Sequence, residues 1–363
     1  MIEDKRKTAF PESSVAADEE KLSGKNTNTI IAKNSSSGND LFDRDELDTI
    51  SLAELYDTIY RRRPPIIEGL LHTGTYILAG APKIGKSFLV AQIAYHVSTG
   101  RPLWGYTVRQ STVLYLALED DRRRLQERMF TMFGVEEAGD LHFCIASKQV
   151  GFGLEDQLEQ FLHEHPQTRL IIIDTLQKVR EITSDTYSYA KDYEIVGKLK
   201  QFADQHDVCL LIVHHTRKQH AGDAFEMISG TNGLLGSADG GLILQKEKRT
   251  DRTATMDIVG RDQGDQRLFL MRNEERLIWE LDHAETELWK SPPDAILEAI
   301  AASIKEEWTG SATDLVQLLE VEMKPNTLTK HLNVTARRLQ EEYGILYEST
   351  RSHAGRKISL RHL

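Results

Sequence analysis

The most chemically specific stretch of this 363-residue chain is Gly80-Ala81-Pro82-Lys83-Ile84-Gly85-Lys86-Ser87, followed by Phe88. Two glycines flanking four residues, then Lys-Ser, is the full pattern of a phosphate-binding loop. The glycines let the backbone curl so that successive N–H groups point at one anion, and a helix starting here adds its positive end. Lys86 is placed to reach a β- and a γ-phosphate, and the Ser87 hydroxyl to ligate Mg²⁺. The implied ligands are a nucleoside triphosphate, expected to be ATP, and Mg²⁺.

Three further clusters bear on the same chemistry. The run Leu170-Ile171-Ile172-Ile173 ends in Asp174, an acid at a buried strand tip, where a second carboxylate would hold the metal through water. The run Val113 to Leu118 ends in Glu119-Asp120-Asp121. Glu119 is the first polar side chain to emerge and is the expected general base, with Asp120 second. The alternative is an acidic helix start before Arg122-Arg123-Arg124. Leu210 to Val213 ends in His214-His215, an imidazole pair that could sense a γ-phosphate by hydrogen bonding. A plain surface pair, or a metal site short of ligands, are the rival readings.

Such side chains need a scaffold. Apolar runs at Tyr76 to Ala79, 113 to 118, 170 to 173, 210 to 213 and Leu242 to Leu244 alternate with helical stretches, as parallel strands buried on both faces do. The body spans about 46–290 and opens with Leu52, Leu55, Tyr56 and Ile59 at helical spacing before Pro64-Pro65. Residues 1–45 have little apolar to bury and are expected to form a disordered tail. After Ser291-Pro292-Pro293 the pattern gives helices at 295–307, 312–320 and 326–343, then strands at 346–350 and 357–360. That order suits a winged-helix-like domain over 291–363. Its charge is split: 291–323 carries one basic and seven acidic residues, 324–363 eight basic and three acidic.

Overall charge is −11, from 45 basic and 56 acidic residues, which excludes a wholly basic chromatin-type protein. Cys144 and Cys209 lie far apart among apolar neighbours and support neither a disulfide framework nor a zinc cluster. No apolar run approaches the roughly 18 residues of a membrane span, so a cytoplasmic protein without membrane contact is expected.

The phosphate loop, Glu119 at the end of a second strand, the strand ending in Asp174 and the His-His-Thr-Arg-Lys tip at 214–218 together resemble the core of RepA-type plasmid helicases over about residues 60–285. DnaB-type and phage hexameric helicases are more distant relatives. The resemblance implies an α/β protein with a RecA-like P-loop NTPase core and a mostly parallel twisted sheet. It implies Glu119 as catalytic glutamate and His215 as γ-phosphate sensor. It also implies a homo-oligomeric ring of six with ATP between neighbours, single-stranded DNA in the channel, and a replication initiator or primase as further partners. The stretch Val259-Gly260-Arg261-Asp262-Gln263-Gly264 resembles a Lys-x-Arg-x-x-Gly signature that carries an arginine finger, making Arg261 the candidate. The first position is not lysine here, so Lys246, Lys248 or Arg249 stands as an alternative cation. A regulatory or recombination ATPase of the RadA or KaiC type, and an ATP-switched DNA-binding regulator, are the rival functions.

Two long connections follow catalytic strand tips: 178–191, with Arg180, Tyr187 and Tyr189, and 216–232, with Arg217, Lys218 and His220 between hinge candidates Gly222 and Gly230. They are expected to face DNA, with ordinary surface loops as the alternative. In the C-terminal segment Lys330, Arg337 and Arg338 fall on one helix, beside a hairpin with Arg351, Arg356, Lys357 and Arg361. This suits contact with DNA or with protein equally.

Overall fold

The computed structural model describes residues 49–60, 64–135, 139–180, 189–215, 231–248, 250–261, 263–286, 293–352 and 355–363. Helix α1 (Leu52–Asp57) precedes β1 (Gly74–Gly80), α2 (Lys86–Thr99), β2 (Thr112–Ala117), α3 (Arg122–Phe133) and β3 (Leu141–Cys144). Next come α4 (Leu154–Glu164), β4 (Thr168–Asp174), α5 (Leu176–Val179), α6 (Tyr189–His206), β5 (Cys209–His215), α7 (Thr231–Ser237) and β6 (Gly240–Gln245). Strands β7 (Thr253–Gly260), β8 (Gln263–Arg272) and β9 (Trp279–Thr286) follow. The chain ends with α8 (Ala295–Ser303), β10 (Glu307–Ser311), α9 (Ala312–Leu318), α10 (Pro325–Tyr343), β11 (Ile345–Ser352) and β12 (Gly355–His362).

Nine strands form one sheet in the order β3-β2-β4-β5-β1-β6-β7-β8-β9. The first six are parallel and β7 to β9 antiparallel. The central strands read as unbroken apolar runs because both faces are covered. Tyr76, Leu78, Val113, Tyr115, Leu170, Ile172, Leu211 and Val213 pack under α2 and α3. Their immediate neighbours Ile77, Ala79, Leu114, Leu116, Ile171, Ile173, Leu210 and Ile212 pack under α4 to α7. Truncating one such leucine to alanine costs about 2–5 kcal/mol. Cys209 lies in this core, and burial pushes its thiol pKa up; Cys144 sits on the edge strand, and neither is in a disulfide. The antiparallel extension was not foreseen, although Ala254, Met256 and Ile258 alternate with Thr253, Thr255 and Asp257 at the two-residue period of a strand.

The chain divides into two compact units, one of residues 64–293 and one of 294–363 joined by residues 50–60. The segment 50–60, expected to open the first body, therefore belongs with the C-terminal residues. Ile59 lies in the same core as Leu297, Ile300, Leu315, Leu328, Leu332, Leu339, Tyr347 and Leu360. Asn333 ties the segment down, donating from Nδ2 to the Tyr56 carbonyl at 2.9 Å while its Oδ1 accepts from the Tyr347 hydroxyl at 2.9 Å. The element order of this unit is helix, strand, helix, helix, hairpin, with the three strands antiparallel in the order β10-β12-β11. The first helix, expected to run to Glu307, stops at Ser303, and an unforeseen strand β10 begins at Glu307. Helix α10 opens with Pro325 at its first turn and closes on Gly344 in the left-handed region, the pairing that starts and stops helices. Among the described residues no helix is long and apolar enough to cross a membrane. The expected tail at 1–45 lies outside the described residues.

Candidate active site

Sheet register brings the chemistry together. Gly80 is level with His215 on one side and Leu244 on the other, Ala117 is level with Asp174, and Asp174 with Val213. The tips of β1, β2, β4 and β5 thus form one rim, at the carboxyl ends of parallel strands where open α/β sheets bind ligands.

At that rim β1 stops at Gly80 and α2 starts at Lys86. A Cβ on Gly80 would lie 2.7 Å from the Leu244 carbonyl oxygen. Gly85 sits at φ +111°, and a Cβ there would meet the Trp279 ring at 3.0 Å. Both positions therefore require glycine. Lys86 is 5% exposed, and its Nζ donates to the carbonyls of Gly80 at 2.7 Å and Ala81 at 2.9 Å and lies 3.0 Å from His215 Nδ1. An ammonium has only donors, so Nδ1 is the acceptor and the ring proton of His215 resides on Nε2. Burial pulls the Lys86 pKa down to about 8, against the raising influence of Asp174 and Glu119. His215 is half-buried with a lowered pKa, from burial first and Lys86 second. Burial drives neighbouring His214 down to about 4.

Asp174 is 3% exposed. Its Oδ2 accepts from the Tyr115 hydroxyl at 2.9 Å, while its Oδ1 is buried with no hydrogen-bond partner among the described residues. Burial raises its pKa, partly offset by the Ser87 and Tyr115 hydroxyls. A buried carboxylate oxygen left without a donor, close to a serine hydroxyl, is a hard oxygen set that fits Mg²⁺ with its water shell.

The three acids after β2 have separate tasks. Asp121 caps α3, accepting from the Arg124 N–H at 2.9 Å. Asp120 is held by Arg128 at 2.7 Å, both side chains nearly buried. Glu119 is exposed toward the rim and accepts from the Thr175 hydroxyl at 3.2 Å. Glu119 is thus the acid of the three that keeps its carboxylate at the rim, whereas Asp120 is committed to its arginine.

Arg128, Arg272, Trp279 and Gln92, which no motif marks, bear on Phe88 and the start of α2 and were missed from sequence. Phe88 meets two guanidinium groups, its ring centre 4.9 Å from that of Arg128 and 4.3 Å from that of Arg272. Arg272 also lies 5.2 Å from the Trp279 ring, and burial lowers its pKa to about 10. Gln92 of α2 brackets the Trp279 backbone, donating to its carbonyl at 2.9 Å and accepting from its N–H at 2.8 Å. The antiparallel extension thereby supports the first turns of α2 from a distance in sequence no motif covers.

Other expected residues are placed elsewhere. Arg261 follows β7 at the opposite edge of the sheet, where Gly260 is level with Gly240 and Gly240 with Tyr76. It is 61% exposed and pairs with Asp239 at 3.5 Å. Lys246 donates to the Asp251 carbonyl at 2.7 Å and stands 5.3 Å over Trp279. The Lys248 N–H donates to Asp251 Oδ2 at 2.8 Å. Arg180, expected to face DNA, makes a largely buried pair with Asp192 of α6 at 2.9 Å. Arg337 and Arg338 pair along α10 with Glu341 and Glu342 at 2.9 and 2.8 Å, and Lys330 lies 6.0 Å from the Tyr56 ring centre. Arg217, Lys218, His220, Gly222, Gly230, Tyr187 and Arg249 lie outside the described residues.

Residues 43–221 match the AAA domain family. No curated protein matches the chain. Among solved structures, a DnaB-like replicative helicase described with its interactions with primase aligns with a TM-score of 0.50 at 14% identity, covering 65% of this chain and 68% of its own. The ATPase domain of a phage protein aligns with a TM-score of 0.48 at 15% identity over 57% and 84%. A KaiC-like protein from Pyrococcus horikoshii OT3 aligns with a TM-score of 0.44 at 15% identity over 61% and 99%. The fold is a RecA-like α/β ATPase core with a mostly parallel sheet.

Proposed function

We propose that this chain, with an AAA-type ATPase domain at residues 43–221, is a ring-forming, ATP-driven DNA helicase of the RepA type, serving replication of a plasmid, phage or integrative element. The observation that carries this reading is the split of the catalytic set between two edges of one sheet. Lys86, Ser87, Asp174, Glu119 and His215 share the phosphate rim, whereas Arg261 stands at the other end. Four residues of β1 separate the level of Gly260 from Gly80, about 13 Å at strand rise, and Arg261 lies beyond that. An arginine so placed does not reach its own chain's phosphates, and it suits a neighbour's.

In this reading Lys86 turns from the loop carbonyls to the β- and γ-phosphates, and the loop N–H groups hold the β-phosphate. Ser87, and Asp174 through water, would hold Mg²⁺, which neutralises charge on the phosphate oxygens. Glu119, oriented by the Thr175 hydroxyl, takes a proton from the water that attacks the γ-phosphorus. The bond from that phosphorus to the β–γ bridging oxygen breaks, and ADP leaves. Arg261 of an adjacent copy stabilises the charge of that step. His215 offers its Nε2–H to the γ-phosphate, so hydrolysis removes an acceptor at the tip of β5. The resemblance of the strand-tip motifs to hexameric helicases supports single-stranded DNA as the polymer moved and an initiator as partner, and primase is the partner described for the DnaB-like helicase of similar fold. For the C-terminal unit, the element order supports a winged helix. The pairing of Arg337, Arg338 and Arg356 with acidic side chains of the same unit supports a protein-facing role over a phosphate-facing one.

The test is ATP hydrolysis with and without single-stranded DNA, together with strand displacement from a forked duplex. Wild-type protein is expected to be stimulated and to unwind, Lys86→Ala to lose both, and Glu119→Gln to bind nucleotide and assemble without turnover. Hydrolysis indifferent to DNA and without displacement overturns the helicase reading in favour of a regulatory ATPase.

A further inference from the structure

Far from the phosphate rim, three side chains from two parts of the chain converge at the opposite ends of β2, β3 and β4. Asp140 and His142 flank the start of β3, and His165 closes α4 just before β4. Register places Val113 beside Leu141 and Thr112 beside Thr168, so the strand starts lie together. Asp140 Oδ1 lies 2.5 Å from His142 Nε2, the two imidazole rings are 4.3 Å apart, and one donor atom from each of the three residues falls within 4.8 Å of the others.

We propose that Asp140, His142 and His165 bind a borderline transition-metal ion, Zn²⁺ in particular, as a site separate from nucleotide chemistry. Two neutral imidazole nitrogens and one carboxylate oxygen, with water completing a tetrahedron, is a zinc donor set, whereas Mg²⁺ and Ca²⁺ take oxygen. The groups are already supported as ligands are. Asp140 Oδ2 accepts from the Thr112 hydroxyl at 2.6 Å, which orients the carboxylate and leaves Oδ1 facing the histidines. Phe161 stacks on His165 at 4.4 Å and meets the His142 ring edge-on at 5.3 Å, walling one side. The His165 carbonyl accepts from both the N–H and the hydroxyl of Thr168, fixing the backbone that carries the ring.

The fit is geometric. Ligand bonds of about 2.0–2.1 Å in a tetrahedron set donor atoms about 3.3 Å apart. The Asp140–His142 contact therefore opens from 2.5 Å, and the widest separation closes from at most 4.8 Å. Side-chain rotation covers shifts of that size without moving the strands. The bound ion would staple edge strand β3, whose hydrogen-bonded neighbour in the sheet is β2, to the α4–β4 turn. Metal binding then appears as added stability of the fold.

The experiment uses the untagged full-length chain, stripped with a chelator and without nucleotide, titrated with Co²⁺ and then Zn²⁺ at pH 7.5. The expected result is one equivalent bound with a Kd of about 1 µM or tighter, a cobalt spectrum of a four-coordinate nitrogen and oxygen site, and a Tm that rises with Zn²⁺. His142→Ala and His165→Ala are each expected to weaken binding at least about tenfold, and Thr112→Val by about tenfold through loss of the carboxylate's support. His283→Ala, which removes the imidazole of an exposed His–Asp pair elsewhere, should leave the titration unchanged. No saturable binding by the wild-type chain below about 100 µM, or binding by both histidine variants equal to wild type, overturns the site and leaves a hydrogen-bonded cluster.

Discussion

The Lys86 ammonium gives the sharpest handle on the phosphate rim, because its protonation is finely poised. With a pKa brought to about 8 by burial, the charged fraction falls from about nine-tenths at pH 7 to about one-tenth at pH 9. Phosphate binding needs the charged form, so the apparent Kd scales inversely with that fraction and rises about tenfold across this interval. The sign is fixed: raising pH removes the cation and weakens binding. Asp174 and Glu119 both hold the pKa up. Glu119→Gln removes one of these supports, and its binding curve should bend at lower pH than that of the wild type. Equilibrium titration with a fluorescent ADP analogue, between pH 7 and 9 at saturating Mg²⁺, measures both effects, since ADP is not turned over. A Kd constant within about twofold over that range, or a midpoint moved upward in Glu119→Gln, would refute the electrostatic account.

Two other outcomes follow from the same geometry. Tyr115→Phe removes the donor to Asp174 Oδ2; a hydrogen bond to a charged group is worth about 1.5 kcal/mol, so the Mg²⁺ concentration for half-maximal hydrolysis should rise about tenfold with metal-free nucleotide affinity unchanged, and an unchanged Mg²⁺ requirement counts against Asp174 as metal holder. Arg261→Ala should be inactive alone, and mixing it with inactive Lys86→Ala should restore part of the turnover, because some seams then pair an intact phosphate loop with an intact arginine; mixtures as dead as their components would remove Arg261 from the seam.

The division between what was legible in the sequence and what was not follows from the range over which each constraint acts. The phosphate loop is legible because every demand on it is local: Gly85 must hold φ +111° under a tryptophan ring, Lys86 must follow it, and a buried strand and a helix must flank it. Asp174 is legible because an acid ending an apolar run is costly unless it has work to do. Glu119 was singled out as the first polar residue past its strand; its separation from Asp120 and Asp121 became clear only once Arg128 and the α3 cap were in place. Arg337 and Arg338 were expected at a DNA or protein contact; their pairing with Glu341 and Glu342, one helical turn away, was not singled out.

What sequence pattern does not encode is which surface answers which. The stripe containing Ile59 announces that it will be buried, not that its partner core is some 240–300 residues away, at Leu297 to Leu360. Trp279 beneath Gly85 and Gln92 clasping the Trp279 backbone join residues 194 and 187 positions apart. The Asp140, His142 and His165 group has the same character: no spacing rule flags two histidines separated by a whole helix, and only the alignment of β2, β3 and β4 brings their rings to 4.3 Å. Long-range pairing is where a sheet protein acquires sites beyond its motifs. The rim and the far edge should therefore respond independently, with a nucleotide-site substitution such as Lys86→Ala leaving Co²⁺ binding intact and His142→Ala leaving the pH dependence of ADP binding intact.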